Sequence, residues 1–71
     1  MIKLGIYKHY KGNIYEVIGI GKHSETLEEL VVYRSIKNEN EIWLRPISMW
    51  NEEIALADGS SVLRFTLIEE K

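Results

Sequence analysis

The feature that most constrains this sequence is a series of five β-rich segments that follow one another within only 71 residues. No stretch between them is long enough for an amphipathic helix. The predicted strands are residues 4–10, 14–20, 30–36, 42–50 and 62–68. Antiparallel strands with such short connections cannot bury their apolar side chains as a flat sheet, so they must roll up around a small core. The sequence therefore predicts one all-β domain over residues 1–71, a small, strongly bent antiparallel barrel that is SH3-like and has about five strands and at most one short helical turn. A five-stranded OB-like barrel is the alternative.

The connections contain residues that favour turns and bends. Gly12-Asn13 is predicted as a two-residue hairpin turn, because both residues tolerate positive φ. Gly19 and Gly21, inside the second strand, predict a bulge or a sharp bend. Pro46 has no backbone donor, so its strand must lie at a sheet edge or bend there.

Three other connections are predicted from their polar residues. Residues 24–30 contain a capping-box pattern, Thr26 followed by Glu29, and are predicted as a loop or one helical turn that leads into the next strand. Residues 37–41 are polar and predict a hairpin loop. Residues 51–61 are predicted to be irregular, with a β-turn at Asp58-Gly59.

Composition narrows the classes of function. The net charge is −2, but residues 1–24 carry four lysines against one glutamate, whereas the rest of the chain is acidic. An isoelectric point of about 5.6 argues against a nucleic-acid binder unless the fold collects those lysines on one face. The chain has no cysteine, which excludes disulfides and thiolate zinc sites and fits a reducing compartment. No apolar run suits a signal peptide or a membrane span, so we expect a cytoplasmic protein without membrane contact.

Several segments can be taken together as one pattern. It comprises residues 5–17, the run His23-Ser24-Glu25-Thr26-Leu27-Glu28, and the groups Val31-Val32-Tyr33-Arg34, Trp43-Leu44-Arg45-Pro46, Met49-Trp50 and Arg64-Phe65. Their order and spacing resemble a family of small bacterial proteins known as domain of unknown function 1653 (DUF1653). The resemblance implies an SH3-like β-barrel and no particular reaction. Two positions depart from the family pattern: Trp50, where phenylalanine is commoner, and Leu63, where proline is frequent.

Two catalytic patterns can be set aside on spacing, and a metal site is kept as a lower-ranked hypothesis. Gly19-Ile20-Gly21 lacks the third glycine and the following helix of a dinucleotide loop. His23 and Ser24 are adjacent, so their side chains would point apart in an extended chain, whereas a hydrolase needs the two side chains within hydrogen-bonding distance. A metal centre made by His9, His23 and Glu25 is the third-ranked hypothesis, because His23 and Glu25 would share one side of an extended segment and leave an open coordination position.

The aromatic residues are the better lead to a function, because seven of them cannot all fit inside so small a core. Trp43 and Arg45 share one side of their strand, and we expect Arg34 to face them. This group suits a peptide, a carboxylate or an unstacked base. The alternative is that Trp43 and Trp50 pack the core while the two arginines pair with Glu25, Glu28 or Glu29.

These observations predict a non-enzymatic module that binds a protein, a peptide or an anionic group and needs no cofactor or metal. Its predicted binding residues are His9, Tyr10, Lys11, His23, Glu25, Thr26, Arg34, Trp43 and Arg45. The histidines would be polar anchors, the arginines would bind the anion, and Trp43 would be a stacking platform. A nucleic-acid-binding accessory barrel that uses the N-terminal lysines and exposed tyrosines is the alternative.

Overall fold

The computed structural model describes residues 2–38 and 40–71. The strands, in chain order, are β1 (Gly5–His9), β2 (Ile14–Lys22), β3 (Glu29–Ser35), β4 (Ile42–Pro46), β5 (Glu53–Ala55), β6 (Ser61–Leu63) and β7 (Phe65–Glu70). A one-turn helix, α1 (Ile47–Trp50), follows β4. Five strands form an antiparallel sheet in the order β4-β3-β2-β1-β7, and β5 and β6 form a separate hairpin. The predicted small antiparallel all-β fold with at most one helical turn is confirmed.

The five-stranded sheet is open. Its two edge strands, β4 and β7, do not pair with each other in the part of the chain that the structure describes. The closed barrel that we expected is therefore not formed by hydrogen bonding, and the SH3-like and OB-like classifications stay predictions. None of the helices described is long and apolar enough to cross a bilayer.

The turn between β1 and β2 differs from the prediction by one residue. The His9 amide donates to the Asn13 carbonyl at 2.8 Å, and the Gly12 amide donates to the His9 carbonyl at 2.8 Å. The loop is thus the three residues Tyr10, Lys11 and Gly12, not a two-residue Gly12-Asn13 turn. Three-residue hairpin loops place a left-handed residue last, and Gly12 fills that position with a φ of 109°.

The predicted irregularities in β2 and β4 are confirmed. The register between β2 and β3 shifts between Val17 and Gly19, which is the bulge expected from the glycines. The strand that ends at Pro46 pairs only with β3 and is an edge strand, as the missing donor of proline requires.

Beyond Pro46 the predicted continuous strand is wrong, because Ile47–Trp50 forms the helical turn α1. This turn redirects the chain so that Trp50 enters the core, where its side chain is fully buried. Residues 51–61 also form more structure than predicted. The expected turn at Asp58-Gly59 connects β5 to β6, and Asp58 Oδ1 accepts hydrogen bonds from the Ser60 amide and hydroxyl.

The last predicted strand is interrupted at Arg64, which separates β6 from β7. The Arg64 amide donates to the Glu52 carbonyl at 2.8 Å, and its carbonyl accepts from the Tyr10 amide at 3.0 Å. Arg64 therefore connects the β5-β6 hairpin to the loop between β1 and β2. The division of this segment and the β5-β6 hairpin explain why the described residues form seven strands and not the five predicted.

The core is a small aromatic cluster on one face of the sheet. The Trp50 ring stacks on Phe65 at a centroid distance of 3.9 Å and meets Tyr7 and Tyr33 edge-on at 5.4 and 5.0 Å. The buried residues are Ile2, Tyr7, Val17, Val31, Tyr33, Trp50 and Phe65. Burial raises the pKa of the Tyr7 hydroxyl, which donates to the Lys3 carbonyl at 2.7 Å. Aromatic contacts thus replace the larger aliphatic core that a longer chain would form.

Candidate functional site

The pairing register shows which side chains share a face of the sheet. Directly opposite residues in an antiparallel pair point to the same side. Arg45 lies opposite Val31 and Trp43 lies opposite Tyr33, so both side chains are on the face that carries the core. Trp50, not Trp43, is the tryptophan that fills the core, and Trp43 is half exposed.

Arg45 is a cation that the described part of the chain leaves without a counterion. Its guanidinium carbon lies 5.7 Å from the centroid of the Phe65 ring, which is a cation–π contact. Its Nε is buried and has no hydrogen-bond acceptor, and the side chain forms none of the ion pairs found in residues 2–38 and 40–71. The alternative in which Arg45 pairs with Glu25, Glu28 or Glu29 is therefore wrong. A buried donor without an acceptor is costly, and a charged acceptor would remove that cost.

His9 packs against the same Phe65 ring. The two centroids are 5.1 Å apart, and Tyr10 and Tyr15 lie on other sides of the imidazole at 4.7 and 6.4 Å. The Lys11 amide donates to His9 Nδ1 at 3.1 Å, so the neutral ring carries its proton on Nε2. The imidazole therefore fixes the loop that follows it through Nδ1, and Nε2 takes no part in this bond.

The electrostatic environment of His9 is positive. Burial is the largest cause of its lowered pKa, and the charges of Arg64, Lys11 and Arg45 lower it further. The lowered pKa makes His9 neutral near pH 7, in surroundings of positive charge. This combination favours an anion, because the site has positive potential and an N–H donor.

We define the cationic face as His9, Tyr10, Lys11, Trp43 and Arg45. All five were predicted as binding residues. His9 and Arg45 pack on Phe65, Tyr10 and Lys11 lie in the adjoining β1-β2 loop, and Trp43 lies beside Tyr33 on the same side of the sheet. Tyr10 and Lys11 are exposed, with the Lys11 ammonium 5.9 Å from the Tyr10 ring.

Arg64 belongs beside this face and was not among the predicted binding residues. Its Nη2 pairs with Glu52 Oε1 at 3.1 Å, its Nε is buried without an acceptor, and its charge acts on His9. The sequence pattern Arg64-Phe65 was a signal of its position, because Phe65 is the ring on which His9 and Arg45 pack.

The loop at His23 is a separate structure at the other end of β2. His23 Nδ1 accepts from the amides of Glu25 and Thr26 at 3.2 and 3.4 Å, and Thr26 Oγ1 accepts from the Glu28 amide at 3.2 Å. The His23 amide also donates to the Glu28 carbonyl at 2.8 Å. These bonds show that His23 and Thr26 fix the shape of the loop.

The proposed metal centre of His9, His23 and Glu25 is wrong. The nine residues of β2 separate the two histidines, and each residue of a strand advances the chain by about 3.3 Å. No group of three metal-ligating side chains occurs within residues 2–38 and 40–71. The same separation divides the single binding surface that we expected, because His23, Glu25 and Thr26 lie away from the cationic face.

Arg34 also lies apart from that face. It is opposite Ile42 and Glu16, on the other side of the sheet from Arg45. Its Nε and Nη2 donate to Glu16 Oε1 at 3.1 and 3.0 Å, so its charge already has a counterion. The expectation that Arg34 faces Trp43 and Arg45 is therefore wrong.

Two apolar grooves are candidates for ligand contact. A groove of 340 Å³ meets the cationic face at His9 and Tyr10. Lys8 and Thr66, on the other side of the sheet from Phe65, line it together with Leu56, Val62, Leu63 and Ile68. A larger groove of 470 Å³ is lined by Ile2, Leu4, Gly19, Ile20, Glu29 and Ile47. Its only charged lining residue is an acid, so it does not share the electrostatics of the cationic face.

Comparison with known proteins agrees with the pattern found in the sequence. The family model of DUF1653, described as a protein of unknown function, matches residues 5–67. The crystal structure of a DUF1653 protein from Bordetella bronchiseptica is similar, with a TM-score of 0.85 and 29% sequence identity, over 99% of this chain and 91% of that chain. A comparison with curated proteins finds no significant match.

Proposed function

We propose a binding function for this chain, which belongs to the DUF1653 family of proteins of unknown function. The domain is a non-enzymatic binding module whose cationic face recognises an anionic group on a protein or peptide. The observation that supports this most strongly is Arg45, a partly buried guanidinium without a counterion in the described part of the chain. A cytoplasmic location, expected from the composition, is part of the proposal.

Arg45 has the chemistry that anion recognition requires. A guanidinium binds a carboxylate or phosphate through two parallel hydrogen bonds, and such charge-assisted bonds are stronger than neutral ones. Phe65 beneath Arg45 limits its movement, so less side-chain entropy is lost on binding. The neutral His9 adds a donor at Nε2 without adding charge of its own.

The groove beside the cationic face supports a peptide ligand over a free anion. Its lining is mainly apolar, and it begins at His9 and Tyr10, which belong to that face. A peptide that passes around His9 and Tyr10 would place an acidic residue at Arg45 and apolar residues in the groove, which lies mainly on the other side of the sheet. Small-molecule and peptide sites commonly combine an apolar groove with a few placed polar groups.

A titration with a defined peptide tests this proposal. The probe is an acetylated and amidated peptide of alternating leucine and glutamate, with the matched leucine–glutamine peptide as a control for charge. Binding is followed by calorimetry and by the fluorescence of the half-exposed Trp43. We expect Arg45→Gln to weaken binding of the glutamate peptide about tenfold or more, the loss of one charged hydrogen-bonding partner.

Arg34→Gln is the matched control, because Arg34 is an arginine of the neighbouring strand that already pairs with Glu16 on the opposite side. It should bind the peptide as the wild type does. Equal affinity for the two peptides, or unchanged affinity in a folded Arg45→Gln variant, would contradict the proposal.

Nucleic-acid binding is the second proposal, supported by the exposed Lys8, Tyr10 and Lys11 around one loop. The other N-terminal lysines support it less, since Lys3 pairs with Glu70 and Lys22 lies at the far end of β2. Retention of single-stranded RNA that falls steeply with salt would favour this function, and no retention at low salt would exclude it.

A further inference from the structure

The edge strand β4 is apolar and has one free side. Within residues 2–38 and 40–71 it pairs only with β3, and Ile42, Trp43 and Leu44 are 50%, 49% and 60% exposed. Sheet edges in monomers are commonly protected by charged residues, bulges or prolines. The opposite edge, β7, has such protection, with a register shift before Glu69 and Glu70. In β4 such residues occur only at its end, as Arg45 and Pro46, and the first three positions, Ile42, Trp43 and Leu44, have none.

The backbone of this edge is available at defined residues. The Ile36 amide donates to the Ile14 carbonyl, so the even-numbered residues of β3 direct their backbone groups towards β2. Because backbone groups alternate along a strand, Tyr33 and Val31 direct theirs towards β4 and bond to Trp43 and Arg45, their opposite residues. Ile42 and Leu44 therefore direct their N–H and C=O groups to the free side.

The chemistry of the edge is symmetric about Trp43. The sequence Glu41-Ile42-Trp43-Leu44-Arg45 has an acid at one end, a base at the other, and an apolar residue on each side of the tryptophan. Glu41 and Arg45 both lack an ion-pair partner within residues 2–38 and 40–71. Such a segment is complementary to itself when it is turned through a two-fold axis.

We infer that β4 pairs antiparallel with β4 of a second copy of this chain, about a two-fold axis at Trp43, to form a continuous ten-stranded sheet. Ile42 would lie opposite Leu44 of the second copy and exchange both backbone hydrogen bonds with it. Glu41 would lie opposite Arg45 of the second copy, so each interface contains two such ion pairs. The two Trp43 residues form the central non-hydrogen-bonded pair, where side chains approach most closely.

The register is set by the same residues. An axis at Leu44 instead would place Ile42 opposite Pro46, which has no N–H to donate, and would leave Arg45 opposite Trp43. The axis at Trp43 uses all the outward backbone groups of Ile42 and Leu44 and provides Arg45 with a carboxylate. It is the register that satisfies both the hydrogen bonds and the charges.

This inference extends the proposed function and rests on it only at Arg45. In the dimer, Glu41 of the second copy is the anion bound by Arg45, whereas in the monomer that guanidinium has no counterion among the described residues. The glutamate peptide and the second copy then compete for the same group. Addition of the peptide should shift the dimer towards the monomer.

A charge-reversal experiment tests the dimer. The Glu41→Arg variant places two arginines opposite each other at each ion-pair position, and the Arg45→Glu variant places two glutamates there. Sedimentation equilibrium should therefore show that each variant forms a dimer about tenfold or more weaker than that of the wild type. A mixture of the two variants restores both ion pairs and should form a mixed dimer of wild-type strength. The double variant Glu41→Arg/Arg45→Glu should again dimerise with itself. Glu69→Arg, on the β7 edge, is the control for net charge and should dimerise as the wild type does.

A wild type that stays monomeric at millimolar concentration would overturn the inference. So would a mixture and a double variant that both stay monomeric although circular dichroism shows them folded. Leu44→Lys separates this result from the proposed function, because it blocks the edge and keeps Arg45. If the wild type does not dimerise but the Leu44→Lys variant binds the glutamate peptide, only the dimer is contradicted and the proposed function stands. If the wild type dimerises but the Leu44→Lys variant binds no peptide, only the proposed function is contradicted.

Discussion

At the level of single residues, the structure depends most on Trp50. Its ring touches Tyr7, Tyr33 and Phe65, and its side chain is fully buried, yet its Nε1 has no acceptor. Trp50→Ala should destabilise the domain by about 3–5 kcal/mol through the cavity it leaves. Trp50→Phe should cost clearly less, because it keeps an aromatic ring and removes a buried donor whose burial costs about 1–3 kcal/mol.

Urea denaturation of the two variants measures this difference. Equal destabilisation by alanine and phenylalanine would contradict this description of Trp50 as a buried ring whose Nε1 has no acceptor.

Protonation of His9 should destabilise the folded domain. Its pKa is lowered by burial and then by Arg64, Lys11 and Arg45, and its Nδ1 must accept from the Lys11 amide. An unfolded chain has a histidine pKa of about 6.5, so the unfolded state takes up the proton first as the pH falls. The contribution of His9 is therefore complete above about pH 6.5 and is lost as the pH falls through the folded-state pKa.

The measurement is the free energy of unfolding between pH 7.5 and 5 for the wild type and His9→Asn. Asparagine can still accept a hydrogen bond but does not titrate, so the difference between the two curves isolates His9. The wild type should lose stability towards low pH relative to the variant. Parallel curves would contradict a lowered pKa for His9.

Among the connecting elements, the loop between β2 and β3 contains a conformational cost that the sequence does not reveal. Leu27 has a φ of 63° and is 66% exposed, so its side chain contributes little burial to offset a left-handed backbone. For a residue with a Cβ, this conformation costs about 1–2 kcal/mol. Leu27→Gly should therefore be more stable than Leu27→Ala by about 1 kcal/mol, although glycine adds flexibility to the unfolded chain.

Thermal unfolding of the two variants measures this difference. Both variants lack the leucine side chain, and only alanine retains a Cβ that strains the left-handed backbone. A glycine variant less stable than the alanine variant would mean that the loop does not hold a positive φ at this residue in solution.

The β1-β7 pair contains a position where the backbones approach too closely for a side chain. A Cβ added at Gly5 would collide with the Glu69 carbonyl oxygen, and Gly5 also has a φ of 146°. Gly5→Ala should thus separate β7 from β1 and destabilise the domain by several kcal/mol, roughly the cost of overpacking plus backbone strain. Gly19→Ala is the control, because a Cβ at this residue would enter open space and its backbone φ is not in the left-handed region. Amide hydrogen exchange along β7 distinguishes the two variants.

For the molecule as a whole, local features of the fold could be predicted and distant ones could not. The bulge near Gly19, the edge position of the strand that ends at Pro46 and the turn at Asp58-Gly59 depend on the backbone preferences of one or two residues. The helical turn at Ile47–Trp50 escaped prediction because it depends on Trp50 reaching a core made by other strands. Propensity alone favoured a continued strand there.

The candidate site was predicted only in part for the same reason. Alternation along β4 correctly placed Trp43 and Arg45 on one side, since that relation is local. Whether Arg34 faces them depends on the register between strands, and the position of His23 relative to His9 depends on the length of β2. The register between strands cannot be read from a single sequence, whereas the strand predicted over residues 14–20 already separates His9 from His23. Three separate groups of residues were nevertheless expected to form one surface.

The anion site at Arg45 is tested most directly at its own Nε–H group. In a proton–nitrogen correlation spectrum of the labelled Leu44→Lys monomer, titration with the leucine–glutamate peptide should shift the Arg45 Nε–H signal far more than that of Arg34, which Glu16 already holds. The leucine–glutamine peptide should shift neither. An Arg45 signal that stays unchanged through the titration, in a domain whose amide signals show it folded, would contradict the account of Arg45 as an open anion site.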